Sequence, residues 1–208
     1  SSNFKYEEKH KIKIEPFLND NFFEIQDNNP LINLNHALSN QGYFLRVKDN
    51  YKFKKSVVIY NFYTNSLDES LINSRNMIKI GENSEAHIVE IKINKSKKNF
   101  FNNVYENIIL KKNTILKNLF IQEDRSKGFF HKYSKNTLST KSKYSAFIFP
   151  SGLKFNKLDI EFNLEGQFSE CNLQAASFIH ENNHQEIKTK INHVAPNCKS
   201  YQKVKNVL

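Results

Sequence analysis

Ile78-Lys79-Ile80-Gly81-Glu82-Asn83-Ser84 and, 30 positions later, Ile108-Ile109-Leu110-Lys111-Lys112-Asn113-Thr114 are two copies of one pattern. Each ends an apolar strand and passes through a polar turn in which Asn precedes a small hydroxyl residue. Strand–turn–strand units return around residues 138–142, 164–168 and 194–198, each about 26–30 residues on. A repeat of that length, made of strands without helices, predicts a β-solenoid. Its coils would stack at roughly 4.8 Å, with inward Ile, Leu, Val and Phe filling a narrow core. Regular short strands also suit a β-sandwich, so the repeat alone leaves both architectures open.

Outward from the repeat, the alternation predicts strands over 43–47, 56–63, 75–80, 86–93, 104–110, 115–122, 144–149, 159–164, 171–179 and 186–193. In the last of these Ile187, Thr189 and Ile191 share one face and Lys188, Lys190 and Asn192 the other. The strand breaks at Ala195-Pro196 and another begins at Cys198. Residues 1–30 read as polar and irregular, with Asp27-Asn28-Asn29-Pro30 as a breaker. One short helix fits 33–40, with Leu31, Leu34 and Leu38 on one face and Asn40-Gln41-Gly42 as its stop. The expected organisation is a lead-in over 1–42 with that helix, then a core domain over 43–208, incomplete at its C-terminal end.

Composition narrows the class. The 208 residues are only 38% hydrophobic, with a mean hydropathy of −0.64, but 18 Phe and 9 Tyr supply apolar bulk. No run approaches the roughly 18 apolar residues of a membrane helix. The chain opens Ser1-Ser2-Asn3-Phe4-Lys5, without an apolar signal region or an initiator Met, as expected of a fragment or a processed form. Two cysteines, Cys171 and Cys198, make no disulfide framework and favour a reducing, cytoplasmic setting. The net charge of +10 raises nucleic acid as a partner. The lysines, however, alternate with apolar residues in Ile12-Lys13-Ile14, Lys79-Ile80, Ile91-Lys92-Ile93 and Lys188-Thr189-Lys190. They read as solvated strand faces along the whole chain, which argues against a nucleic-acid footprint.

The chemistry-bearing residues make no enzyme pattern. His180, His184, His193 and Cys198 have the look of a zinc set, but the His180/His184 pair needs a helix to face one metal, and Glu181-Asn182-Asn183 reads as a turn. His193, just before Ala195-Pro196, is expected to fix that turn by a hydrogen bond. Cys171 and Cys198 lie 27 positions apart, close to one coil, so a disulfide between stacked coils is within reach, but they read as two small buried side chains. Gly81-Glu82-Asn83-Ser84 lacks the Lys and spacing of a phosphate loop, and no Ser sits in a nucleophile elbow. Glu123-Asp124 and Asp68-Glu69 fall in turns. No repeated column of Asp suggests a carbohydrate-cleaving groove, although a carbohydrate-active or a basic nucleic-acid-binding β-solenoid stays open as the alternative function. The sequence therefore assigns no catalytic, cofactor-binding or metal-ligating residue.

Thr189-x-Ile191-x-His193-x-Ala195-Pro196-x-Cys198-x-Ser200-x-Gln202 resembles a motif of the SufB/SufD family of iron–sulfur cluster assembly scaffolds, and within it the SufD branch. The ordered series Leu34-Asn35-x-Ala37-Leu38-x5-Phe44, Asn73-Ser74-Arg75-Asn76-x-Ile78-x-Ile80-Gly81-Glu82-Asn83-Ser84-x5-Glu90, Asn103-Val104-x-Glu106, Gln122-Glu123 and Leu164-Glu165-Gly166 is similar to the same family. Asp159 keeps the acid of the family's Arg-x-Asp, whereas the arginine is missing. The resemblance implies a right-handed parallel β-helix and a non-catalytic scaffold. It also implies a SufB-like partner in a heterodimer and a SufC-like ATPase bound through a segment beyond Leu208. On the same footing, the residues that contact a transient cluster lie outside residues 1–208, and none is assigned within them.

Overall fold

Each coil of this chain lays one strand into each of two parallel sheets. The computed structural model describes residues 6–17, 28–122, 126–179 and 182–207. Sheet A runs β1 (Ile12–Pro16), β2 (Gln41–Val47), β4 (Ser70–Ile80), β6 (Phe100–Leu110), β8 (Ser126–Leu138), β10 (Leu153–Leu164) and β12 (His184–His193). Sheet B runs β3 (Val57–Tyr63), β5 (Glu85–Asn94), β7 (Ile115–Gln122), β9 (Lys143–Pro150), β11 (Glu170–Phe178) and β13 (Lys199–Val207). All pairings within the coils are parallel, for example Ile78 with Ile108 and Ala86 with Leu116. This is the β-helix expected from the repeat, with about six coils, and the hairpin-built sandwich is excluded.

The repeated turn is the corner between the sheets. Asn50, Asn83, Asn113, Lys141, Phe168 and Asn197 all take a left-handed backbone, φ 53–60°, which Asn tolerates better than most residues. Asn83 Nδ2 donates to Asn50 Oδ1 and Asn113 Nδ2 to Asn83 Oδ1, so the first three corners are laddered. The following Ser or Thr turns inward: Ser84 Oγ donates to Lys48 O and Thr114 Oγ1 to Gly81 O, both at 2.9 Å. Between the fourth and fifth corners the approach is so close that a Cβ on Gly166 would lie 1.8 Å from Thr140 N. The corners recur every 27–33 residues, so the first coil is longer than the expected 26–30.

Inside the corner, Val47, Ile80, Leu110, Leu138 and Leu164 stack in one column, each at most 1% exposed. Burial of such side chains contributes roughly 1.5–3 kcal/mol apiece. These stacked columns are the core.

Three expectations are corrected. Residues 12–16 are not irregular: β1 pairs antiparallel with β2, Ile12 against Val47, and covers the first edge of sheet A. Its Ile12-Lys13-Ile14 alternation carried that signal. The helix α1 (Pro30–Leu38) starts earlier than 33, with Asn29 as N-cap, and its buried residues are Ile32 and Asn35, whereas Leu38 is 53% exposed. β8 was not expected over 126–137. Its Lys132, Ser134 and Asn136 break the apolar alternation on the inner face.

At the other end β13 is exposed along all nine residues, including Val204 and Val207; Leu208 lies outside the described residues. Strand edges left open in this way exchange quickly and invite association. Amide exchange in Lys199–Val207 of the monomeric 208-residue chain should be far faster than in Ile115–Gln122. Equal protection in both strands would contradict this account of the last coil.

Candidate functional site

The solenoid interior is not wholly apolar. From Ala86 and Ile88 inward, parity brings Glu90 and Lys92 into the core and puts Ile91 and Ile93 on the outer face. The reading of Lys92 as a solvated lysine is therefore reversed. Across the interior, Glu106 of β6 and Lys132 of β8 point the same way, and all four side chains are nine-tenths or more buried. Lys132 Nζ donates to Glu90 Oε2 at 2.9 Å and to Glu106 Oε1 at 2.8 Å. Lys92 Nζ lies 3.2 Å from Glu90 Oε1, donates to Tyr63 OH at 3.0 Å, and sits 4.6 Å from the Phe130 ring centre. Two cations thus answer two anions in a buried setting.

The electrostatics follow from that count. Burial alone would raise the Glu90 carboxyl, but Lys132 and Lys92 together hold it down at about 2. Glu106 has Lys132 but also the Glu90 charge nearby, and there burial prevails and its pKa is raised. Burial would lower the Lys132 ammonium, yet Glu106 and Glu90 push it well above the ordinary lysine range. Beside them, Tyr144 is raised by burial and by Glu106. Glu106, Lys132, Ser134 and Tyr144 border a cavity of about 30 Å³, space for a water molecule or two. Nearby, the side-chain amides of Gln122, Asn156 and Gln185 are buried without a hydrogen-bond partner among the described residues.

The signature residues divide by parity. Asn76, Glu90 and Glu106 face the interior. Asn73, Arg75 and Asn103 face outward beneath α1, where Asn35 Nδ2 donates to Ser74 O at 3.0 Å and Asn103 O at 2.9 Å. Arg75 Nε donates to Asn35 Oδ1 at 3.3 Å, and Asn103 Nδ2 to Leu31 O at 2.8 Å. These bonds latch the helix to sheet A. Next to the latch, fully buried His131 has Nδ1 2.8 Å from Asn103 Oδ1 and Nε2 3.1 Å from Asp159 Oδ2. Burial would raise Asp159, but the His131 bond and Lys157 hold its pKa below the ordinary value. Lys157, two residues before Asp159, pairs with Glu186 at 2.8 Å and approaches Asp159 Oδ1 at 4.0 Å. A positive charge therefore stands where the Arg-x-Asp pattern has arginine.

The last-coil motif also faces inward, bridging the sheets. Thr189 Oγ1 donates to Gln202 Oε1 at 2.7 Å, and His193 Nε2 lies 3.0 Å from Ser200 Oγ. His193 occupies the position of Leu164 one coil before. Cys198 continues the Ser84, Thr114, Ser142, Ser169 corner column, its thiol donating to Gly166 O at 3.3 Å. Cys171 stacks on Ser200 instead. Both thiols are free, and burial pushes that of Cys171 up to about 11. His180 and Glu123-Asp124 lie outside the described residues. His184 stacks on Phe155 and lies 3.7 Å from Glu186, away from the corner of Cys198. Among the described residues no group of three or more His, Cys, Asp or Glu could hold a metal.

The hydrogen bond of His193 is exposed, so its loss leaves no buried group unpaired. His193→Ala should cost only about 0.5 kcal/mol in a denaturant melt of the 208-residue chain. A loss near 3 kcal/mol would show that the last coil is more enclosed than the structure has it.

Two of the interior charges were within reach of sequence reasoning, since Glu90 and Glu106 stand in quoted motifs. Lys132 was missed. Its signal is parity with Phe130 and Leu138, which are fully buried in the same strand.

Residues 62–208, more than half of the chain, match the family model described as SUF system FeS cluster assembly, SufBD core domain. No curated protein matches the chain.

Proposed function

The chain belongs to the SUF-system family that shares the SufB/SufD core domain of iron–sulfur cluster assembly, and from that membership we propose that it is a SufD-like, non-catalytic scaffold subunit. The carrying observation is that the match spans β4 to β13 without interruption. The family supports a role in cluster assembly and partnership in a Suf complex. The finer reading is a heterodimer with a SufB-like subunit, with a SufC-like ATPase bound through a segment outside residues 1–208. Residues 1–42 act as lead-in and 43–208 as the core domain. The cluster is cargo, handled transiently by the complex, and residues 1–208 hold no resident cofactor. The setting is the cytoplasm, without nucleic acid or a membrane as partner; among the described residues no helix is long and apolar enough to cross one.

Three features support this reading. The inward motif Thr189, His193, Cys198, Ser200 and Gln202 resembles that of the SufD branch and is engaged in bonds between and within coils. Glu90, Lys92, Glu106 and Lys132 spend their charge on each other. Asn35, Arg75 and Asn103 hold α1. These are the uses a rigid framework makes of polar residues. The test is co-expression with a SufB-like and a SufC-like protein of the same source. The chain should co-elute with the SufB-like subunit in equal amount on size exclusion, and show no ATP hydrolysis alone. Separate elution of correctly folded components would overturn the scaffold reading.

A further inference from the structure

A basic cleft opens where the cap strand β1 meets the first coils, and it goes beyond the scaffold reading. Lys11, Arg46, Lys48, Lys79 and Lys111 line an open cleft of about 450 Å³, completed by Val47, Asp49 and Gly81. The fold gathers these side chains from distant parts of the sequence. Arg46 and Lys79 are strand neighbours in the β2–β4 register. Lys48, Gly81 and Lys111 follow one another on successive corners, and Lys48 N donates to Lys11 O at 2.9 Å, which brings in the residue just before β1. With coils roughly 4.8 Å apart, Lys48 and Lys111 flank a floor at Gly81 that carries no side chain. A Cβ there would lie 2.4 Å from Asp49 Oδ1.

Counter-charge is what the cleft lacks. Some lysines elsewhere on the surface are paired, as in Lys157–Glu186 at 2.8 Å, Lys98–Asp68 at 2.9 Å and Lys143–Glu170 at 3.1 Å. Others, such as Lys203 and Lys205 on β13, stand singly among the described residues, without the clustering of the cleft. Among the described residues none of the five cations of the cleft has a carboxylate within 4.0 Å. The acid in the lining, Asp49, is turned to the corner, where its Oδ1 accepts from Glu82 N at 2.7 Å. Arg46 rests on the Phe44 ring, 4.7 Å from its centre, which limits its freedom before any ligand arrives.

We propose that this cleft binds a small anion carrying two or more linked phosphate groups. Arginine supplies a planar fork suited to phosphate oxygens, and lysines supply point charges around it. One phosphate would engage only part of a set spread over the cap and three coils, whereas linked phosphates reach both the Arg46/Lys79 pair and the Lys48/Lys111 pair. The cleft's volume falls in the small-ligand range, and the net charge of +10 draws anions toward it.

Isothermal titration of the 208-residue chain with inorganic tripolyphosphate tests this. Saturable one-to-one binding is expected, with orthophosphate weaker by about tenfold or more. Arg46→Glu with Lys79→Glu should weaken tripolyphosphate by about tenfold or more, and Lys48→Gln with Lys111→Gln should act in the same direction should the first pair perturb folding. Lys203→Glu with Lys205→Glu, the same charge change on β13, should alter it by less than about twofold. ATP separates the sources: equal affinity means that the phosphates alone are read, tighter binding that a nucleoside adds contacts, and both uphold the site. Equal weakening by the β13 pair would reduce the cleft to diffuse surface charge. Equal binding of orthophosphate, or of a tetraglutamate peptide, would overturn the assignment of linked phosphates.

Discussion

Lys132→Met should lower the unfolding free energy by about 3–5 kcal/mol, because it strands the buried Glu106 carboxylate and leaves Glu90 with one cation instead of two. Lys132 Nζ is bonded to both Glu90 and Glu106. Methionine fills similar space, so packing is largely kept and the loss is electrostatic. Glu90 retains Lys92 at 3.2 Å; Glu106 retains no cation within ion-pairing distance among the described residues and must be protonated or pull water inward. A urea melt at neutral pH measures the loss. The same melt on Lys132→Met with Glu106→Gln should recover much of it, since the unpaired Glu106 charge is then gone and Glu90 keeps Lys92. A cost under about 1 kcal/mol for the single change would mean that the interior is wet enough to screen the charges.

Phe130→Ala should cost about 3–5 kcal/mol. Its ring is fully buried, stacks on Phe120 with centres 6.1 Å apart, and forms the apolar seat for Lys92 Nζ at 4.6 Å. Truncation leaves a cavity next to a buried cation, so transfer, packing and cation–π contributions are lost together. Phe129→Ala is the matched control. Phe129 is next in sequence and on the opposite face, where it stacks on Phe155 with centres 6.0 Å apart, and it should cost markedly less. Equal losses would show that the inward and outward faces of β8 are wrongly assigned.

The fold was legible because its corners repeat chemically. Asn83-Ser84 and Asn113-Thr114 announce a left-handed residue followed by an inward hydroxyl, and the strands between them alternate. The first coil was harder to read. β1 is five residues long and gains its partner only through β2, more than 25 positions on. Helix α1 was placed on its leucines, but it is held by the amide of Asn35, a long-range bond that no helical periodicity reveals.

The interior site was half legible. Glu90 and Glu106 stand in family-like motifs, but a lone Lys between two isoleucines reads as a surface residue on any local rule. Lys92 is inside because Glu90 and Tyr63 wait for it there, and Lys132 because it sits between two carboxylates. Such placements depend on partners 29 or 42 positions away. One strand at a time cannot show them.

The scaffold account is tested most directly by anaerobic reconstitution of the purified chain with ferrous iron and sulfide, followed by gel filtration and iron and sulfide counting. The account predicts well under one iron per chain for the chain alone, and a stoichiometric cluster only when SufB-like and SufC-like subunits are present in the complex. A stoichiometric cluster that stays on the isolated 208-residue chain through gel filtration would contradict it.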